Sequence, residues 1–150
     1  MASILANPYA NLELRVPAAD HDSFRKLTTT FRPEDGSKPD IDRSPFDRYV
    51  DLWWTALCVG IRESRMTTGI ESTTFVTGVV FNQDPWRITQ LELLALAETE
   101  DPSVLEDPGK VIAIANAYAF TGAPILIDTM TGATPIWAVT DYLLELVNRA

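Results

Sequence analysis

One cysteine, one histidine and three lysines in 150 residues leave little of the usual catalytic inventory. Cys58 alone excludes an internal disulfide framework and fits a reducing cytosol. With only Cys58 and His21, a structural zinc site, whose four ligands are mostly Cys and His, has no ligand set. A Ser-His-Asp or Cys-His arrangement would have to use His21, and no serine stands in a G-x-S-x-G context. Glycine-rich phosphate loops are missing too, because Gly60, Gly69 and Gly78 are isolated. A nuclease centre of the PD-(D/E)-x-K type finds no matching lysine among Lys26, Lys38 and Lys110. Long apolar runs are also lacking: Leu93–Ala97 is five residues, and Trp53–Ile61 is broken by Thr55 and Gly60, so no membrane span is expected. The N-terminus has no basic segment leading into an apolar core, so no secretory signal is expected either.

What is present is acid, proline and tryptophan. The net charge is −9, unevenly spread. Residues 1–65 hold nine Lys/Arg and ten Asp/Glu, a balance of −1; residues 66–150 hold three and eleven, a balance of −8. The acidic half repels phosphate backbones and suits a basic protein partner. The length is that of one domain with its own core. Five times a capping residue precedes proline: Ser44-Pro45, Asp84-Pro85, Asp101-Pro102, Asp107-Pro108 and Thr134-Pro135. Each side chain can accept from the free N–H groups of a first helical turn, where proline loses nothing.

These five pairs predict helices from Pro45 to about Glu63, Pro85 to Thr99, Pro102 to Leu105, Pro108 to a stop at Gly122, and Pro135 to Asn148. Asp47 would return a capping-box bond to Ser44, and Pro124 would restart a short apolar piece, Ile125–Met130. The first long helix carries Phe46, Tyr49, Val50, Trp53, Trp54, Leu57 and Ile61 at helical spacing, with Cys58 in its apolar face. Ala18–Leu27 reads as a short helix anchored by Phe24 and Leu27, Leu12–Val16 as a strand, and Thr68–Phe81 as a hairpin or extended connection. The expected fold is mainly α, a compact single-domain bundle of five to six helices over residues 1–150. A short N-terminal strand or hairpin accompanies it, with residues 1–11 flexible and 32–43 a mobile loop.

Candidate residues fall into four groups. His21 between Asp20 and Asp22 has the look of a metal pair, but the further histidines such a centre needs are missing. Asp47 and Asp51, four apart, would share a helix face and could hold Mg²⁺ or act as an acid/base pair. Arg43, Arg48, Arg62 and Arg65 around Trp53 and Trp54 could form a patch for single-stranded nucleic acid, opposed by nearby aspartates. Glu98, Glu100, Asp101, Glu106 and Asp107 cluster around the turn Thr99–Pro108, partly as caps. Adjacent helical residues diverge by about 100°, so one of Trp53 and Trp54 should face a second layer or a partner.

FDRYVDLWWTALCVGIRESR resembles the central helix of the DNA phosphorothioation (Dnd) system-associated protein four family. The matching positions are Phe46, Asp51, Ala56 and Gly60, with Arg62 and Arg65 behind them. The likeness continues in Asp84-Pro85-Trp86, in Leu93–Asp107, and in Ala117-Tyr118-Ala119 before Gly122. Where members tend to have glycine after the helix, this chain has Glu63-Ser64. The resemblance implies a cytoplasmic bacterial accessory protein of a DNA-modification or anti-phage restriction system. It supplies no catalytic residue, metal or cofactor. The expected partner is a larger modification or restriction protein, an ATPase or nuclease, met through Trp53, Trp54 and the acidic cluster. Direct DNA binding is disfavoured, and the oligomeric state is open.

Overall fold

A computed structural model of the chain describes residues 6–32, 34–36, 44–130 and 135–149. The element order is β1 (Glu13–Pro17), a 3₁₀ turn (Ala18–Asp20), α1 (His21–Arg25), α2 (Tyr49–Arg62), β2 (Ser72–Thr77), a second 3₁₀ turn (Gly78–Asn82), α3 (Trp86–Thr99), a third (Pro102–Glu106), α4 (Pro108–Met130) and α5 (Pro135–Asn148). The fold is mainly α: five α-helices and one two-stranded antiparallel sheet among the described residues.

The sheet is not a local hairpin. β1 pairs with β2 across more than fifty residues of chain, Glu13 opposite Thr77 and Pro17 opposite Ser72, with an irregularity between Leu14 and Arg15. The free edge of β1 is closed by side chains. Asn116 on α4 accepts from Arg15 N (2.8 Å) and donates to Glu13 O (3.0 Å), and Trp53 Nε1 donates to Arg15 O (3.1 Å). An amide side chain thus stands in for a third strand, satisfying groups that would be costly to bury unpaired.

α4 is the central helix, packed against α2, β1, α3 and α5. It is buried over most of its circumference, as a helix apolar all round should be. The expected stop at Gly122 and restart after Pro124 are corrected: the helix runs unbroken through both. Gly122 is needed for contact, not termination. A Cβ there would stand 1.7 Å from the Ala56 carbonyl oxygen, and one on Gly60 of α2 would stand 1.9 Å from that of Tyr118. The two helices run antiparallel with backbones touching at both points. By length and composition this 23-residue helix, mean hydropathy 1.5 over its most apolar stretch, could cross a membrane, contrary to the short runs read from the sequence; 61% of that stretch is buried inside the fold.

The proline rule locates four starts and misplaces one. Asp107 Oδ1 accepts from Lys110 N at 3.1 Å, and Asp101 Oδ1 from Ser103 N at 2.9 Å, as helix caps. α3 starts just after Pro85 without a side-chain cap from Asp84, and α5 starts at Pro135. α2 begins at Tyr49, not Pro45. Ser44 Oγ donates instead to Lys26 O (2.8 Å), and Phe46 exchanges backbone hydrogen bonds with Leu27 and Thr29. Asp47 therefore precedes the helix; its carbonyl accepts from Thr30 Oγ1 at 2.6 Å, and no capping box forms.

The expected flexibility of residues 1–11 is also corrected for 6–11. Tyr9 is fully buried, and Asn7 Nδ2 donates to Gly78 O at 2.8 Å. Most of the expected mobile loop 32–43 lies outside the described residues.

Candidate functional site

α2 presents two working faces. Ala56 and Gly60 meet α4, while Trp54, Leu57, Cys58 and Ile61 turn away from it. Each residue advances about 100° around a helix, so Cys58 and Ile61 point well off the axis joining Ala56 to Gly60. Opposite them stand Trp86, Gln90, Leu91, Leu93 and Leu94 of α3, and the two helices enclose a groove of about 350 Å³ between them. Its lining has no charged side chain. Trp86 is 53% exposed, Leu93 54% and Ile61 39%.

One end of the groove is fixed by aromatic packing. Trp54 meets Trp86 edge to face at 5.6 Å and Phe81 at 6.3 Å. The Arg87 guanidinium lies 5.0 Å from the Trp54 ring and 4.9 Å from that of Trp86. Arg87 is itself buried, its Nη2 donating to Asp51 Oδ1 at 2.6 Å and Nη1 to Val50 O at 3.2 Å. Arg48 joins the same carboxylate through Nε (2.9 Å) and Nη2 (3.0 Å), and its Nη1 reaches Asp84 Oδ2 at 3.0 Å. Burial alone would raise the Asp51 carboxyl; the hydrogen bonds and charges of Arg48 and Arg87 outweigh it and hold the group below its ordinary value. The network locks the start of α3 onto the start of α2 and sets the two tryptophans. Arg87 was not among the sequence candidates. A signal was there: a cation in the first turn of a helix opposes the dipole and needs carboxylates close by.

Cys58, expected in the core, is exposed on the groove wall. Desolvation by its neighbours still pushes its thiol pKa up, against the pull of Arg87.

The other sequence candidates separate. Trp53 is wholly buried and cannot touch a partner; Trp54 lines the groove. Asp47 and Asp51 do not share a helix face, and Asp51 is committed to two arginines. Arg43 lies outside the described residues. Arg48 sits before the first residue of α2, while Arg62 ends the helix and Arg65 follows it, about 20 Å away at 1.5 Å per residue. Among the described residues, Arg48 therefore forms no single patch with Arg62 and Arg65. His21 packs edge-on to Phe75 and lies 3.7 Å from Asp22. No three His, Cys, Asp or Glu side chains converge as a metal site would require, among the described residues.

Glu98, Glu100, Asp101, Glu106 and Asp107 are all exposed around the turn between α3 and α4. Asp101 and Asp107 cap helices, and Glu98 accepts from the Tyr118 hydroxyl. Burial, and then Glu98, push that hydroxyl pKa up to about 12. Glu100 closes α3 in the left-handed region.

Compared with known proteins, the chain matches no family model, no curated protein and no solved structure.

Proposed function

We propose that this chain is a non-catalytic interaction subunit of a bacterial DNA-modification or anti-phage restriction system, acting in the cytoplasm. It docks onto a larger ATPase or nuclease. The observation that carries the docking reading is the α2/α3 groove, an uncharged hollow with Trp86, Leu93 and Ile61 open to solvent. Half-exposed tryptophan and leucine beside a fixed aromatic pair are the material of interface hot spots. The acidic turn Glu98–Asp107 supplies a second, charged contact for a basic partner face. The system-level part of the reading rests on the motifs of Phe46–Arg65 and Asp84–Asp107.

Two alternatives have less support. Nucleic-acid sensing by Arg48, Arg62 and Arg65 asks for one patch from residues at opposite ends of α2. A Mg²⁺ enzyme using Asp47 and Asp51 asks for a pair that the helix start divides.

The test is recovery of tagged protein from its native host, with and without digestion of nucleic acid. A modification or restriction ATPase or nuclease should co-purify and survive digestion. Trp86→Ala or Ile61→Asp should weaken its capture, and reversing the charges of Glu98, Glu100 and Glu106 should weaken it in low salt. Recovery of DNA alone, lost on digestion, would replace this reading with the sensing one.

A further inference from the structure

Ten large apolar side chains are exposed among the described residues, and six of them fall in two places. Ile61, Trp86 and Leu93 line the groove; Leu143, Leu144 and Val147 lie on α5. At about 100° per residue, the last three occupy one arc of about 100°, a single apolar stripe. Tyr142 falls on the far side of the same helix and packs half-buried against the core. α5 therefore lies on the body by Tyr142 and turns its apolar stripe outward.

A hollow between two helices and an outward apolar stripe on a third are alike in character, each apolar and uncharged. Helix-in-groove recognition uses anchors one turn apart, the spacing of Leu143 and Val147, with Leu144 beside them. Trp54 to Ile61 on one wall and Trp86 to Leu94 on the other each span about two turns of helix, which is length enough to seat that stripe. Neither surface carries a charge in its contact arc among the described residues: the groove lining has none, and Asp141 and Glu145 on α5, with Arg149 just past its end, lie off the stripe. A charged occupant would leave its ionic groups unpaired against that lining; the α5 stripe would not.

Resting on the reading of the groove as a protein-contact surface, we infer that in the free protein its occupant is α5 of a second copy of this chain. Each copy keeps its α5 on its own body and seats the outward stripe in the groove of the other, about a two-fold axis. Groove to helix and helix to groove about one two-fold axis closes at two copies, whereas a one-way contact would run on from copy to copy. Each copy carries a net charge of −9, so the copies repel while the apolar contact holds them. The dimer tightens as salt rises, the opposite of a contact driven by charge.

Cys58, the only cysteine and exposed on the groove wall, gives a direct readout. In a Leu144→Cys variant of the full chain, mild oxidation should join Cys58 of one copy to the new cysteine of the other. Adding Cys58→Ser should abolish the link. Sedimentation across a concentration series should show a wild-type dimer that strengthens with salt, and Ile61→Asp should weaken it at least about tenfold. Ile61 is solvent-exposed, so this variant keeps its helical circular dichroism. Leu144→Asp should weaken the dimer likewise, and if it unfolds α5 the cross-link and Ile61→Asp still decide. A wild-type monomer at all concentrations, a cross-link formed within one chain, or a dimer indifferent to Ile61→Asp would overturn the inference. A monomeric wild type whose ATPase or nuclease capture is still lost in Ile61→Asp would overturn the dimer alone and leave the docking reading standing. A dimer lost in Ile61→Asp with capture intact would uphold the dimer and move the partner off the groove.

Discussion

α2 makes two helix contacts with opposite outcomes. Toward α4 it offers Ala56 and Gly60, and the backbones close until no Cβ would fit. Toward α3 it offers Trp54, Leu57 and Ile61, met by Trp86, Leu93 and Leu94, and the helices stay apart around a hollow. Side-chain size at the crossing sets interaxial distance. Small residues make the closed seam that holds the core, and large ones hold the second pair open as a surface. One helix thereby serves stability on one side and recognition on the other.

The sharpest way to break this comparison is to put a methyl in the seam. Glycine to alanine in an exposed helix usually stabilises by about 1 kcal/mol. Gly60→Ala or Gly122→Ala should instead cost about 3 kcal/mol or more, because the new Cβ meets a rigid carbonyl and not a flexible side chain. Thermal unfolding decides the sign, and a stabilised Gly122→Ala would mean the seam is looser than described. The next largest effect concerns the hinge between seam and groove. Arg87→Ala removes a buried cation from Asp51, from Val50 O and from between two tryptophans, and should cost about 2–3 kcal/mol in urea unfolding. It should also shift the tryptophan fluorescence. Arg48→Ala, half-exposed at the same carboxylate, should cost less.

A third experiment uses pH on the seam side. Tyr118, whose carbonyl receives Gly60, has its hydroxyl pKa raised from 10.0 to about 12 by burial and by Glu98. The folded state thus favours neutral tyrosine. That stability is complete below about pH 10 and is lost as pH climbs toward about 12. Tyr9, raised in the same direction by burial and Glu92, adds to the slope. Tyr118→Phe should flatten the alkaline fall in melting temperature; an unchanged slope would assign it to other groups.

The smallest effect lies in the groove. Cys58 is exposed yet has a raised thiol pKa, so a maleimide should label it more slowly than a free thiol at neutral pH, faster as pH rises. Occupation of the groove should slow it further. Ile61→Asp should leave stability within about 0.5 kcal/mol of wild type while opening Cys58 to label.

Much of the helical framework was legible. Asp107 and Asp101 cap where a capping residue before proline predicts, and Pro85 and Pro135 stand at helix starts. Ser44-Pro45 has the same local signal and fails, because Lys26 O, eighteen residues earlier, takes the serine hydroxyl. Gly122 has the look of a stop, and Pro124 that of a new start. Neither reading could include Ala56, which lies against Gly122 from another helix. On α2 the apolar spacing was visible, but its division between two neighbours was not. Spacing alone puts Cys58 in the core and Trp53 at a partner surface, each the reverse of where it stands.

By itself the sequence determined what is local: helical period, caps, the acidic bias of the second half, and the scarcity of catalytic groups. Hydrogen bonds and sterics within a few residues suffice for that. Tertiary structure alone decided which face of α2 meets α4, that Gly60 and Gly122 are contact points, that Arg87 is buried between Trp54 and Trp86, and that a groove stays open beside them. Those outcomes depend on the volume and shape of side chains brought from distant parts of the chain, and no local spacing encodes which surfaces will meet.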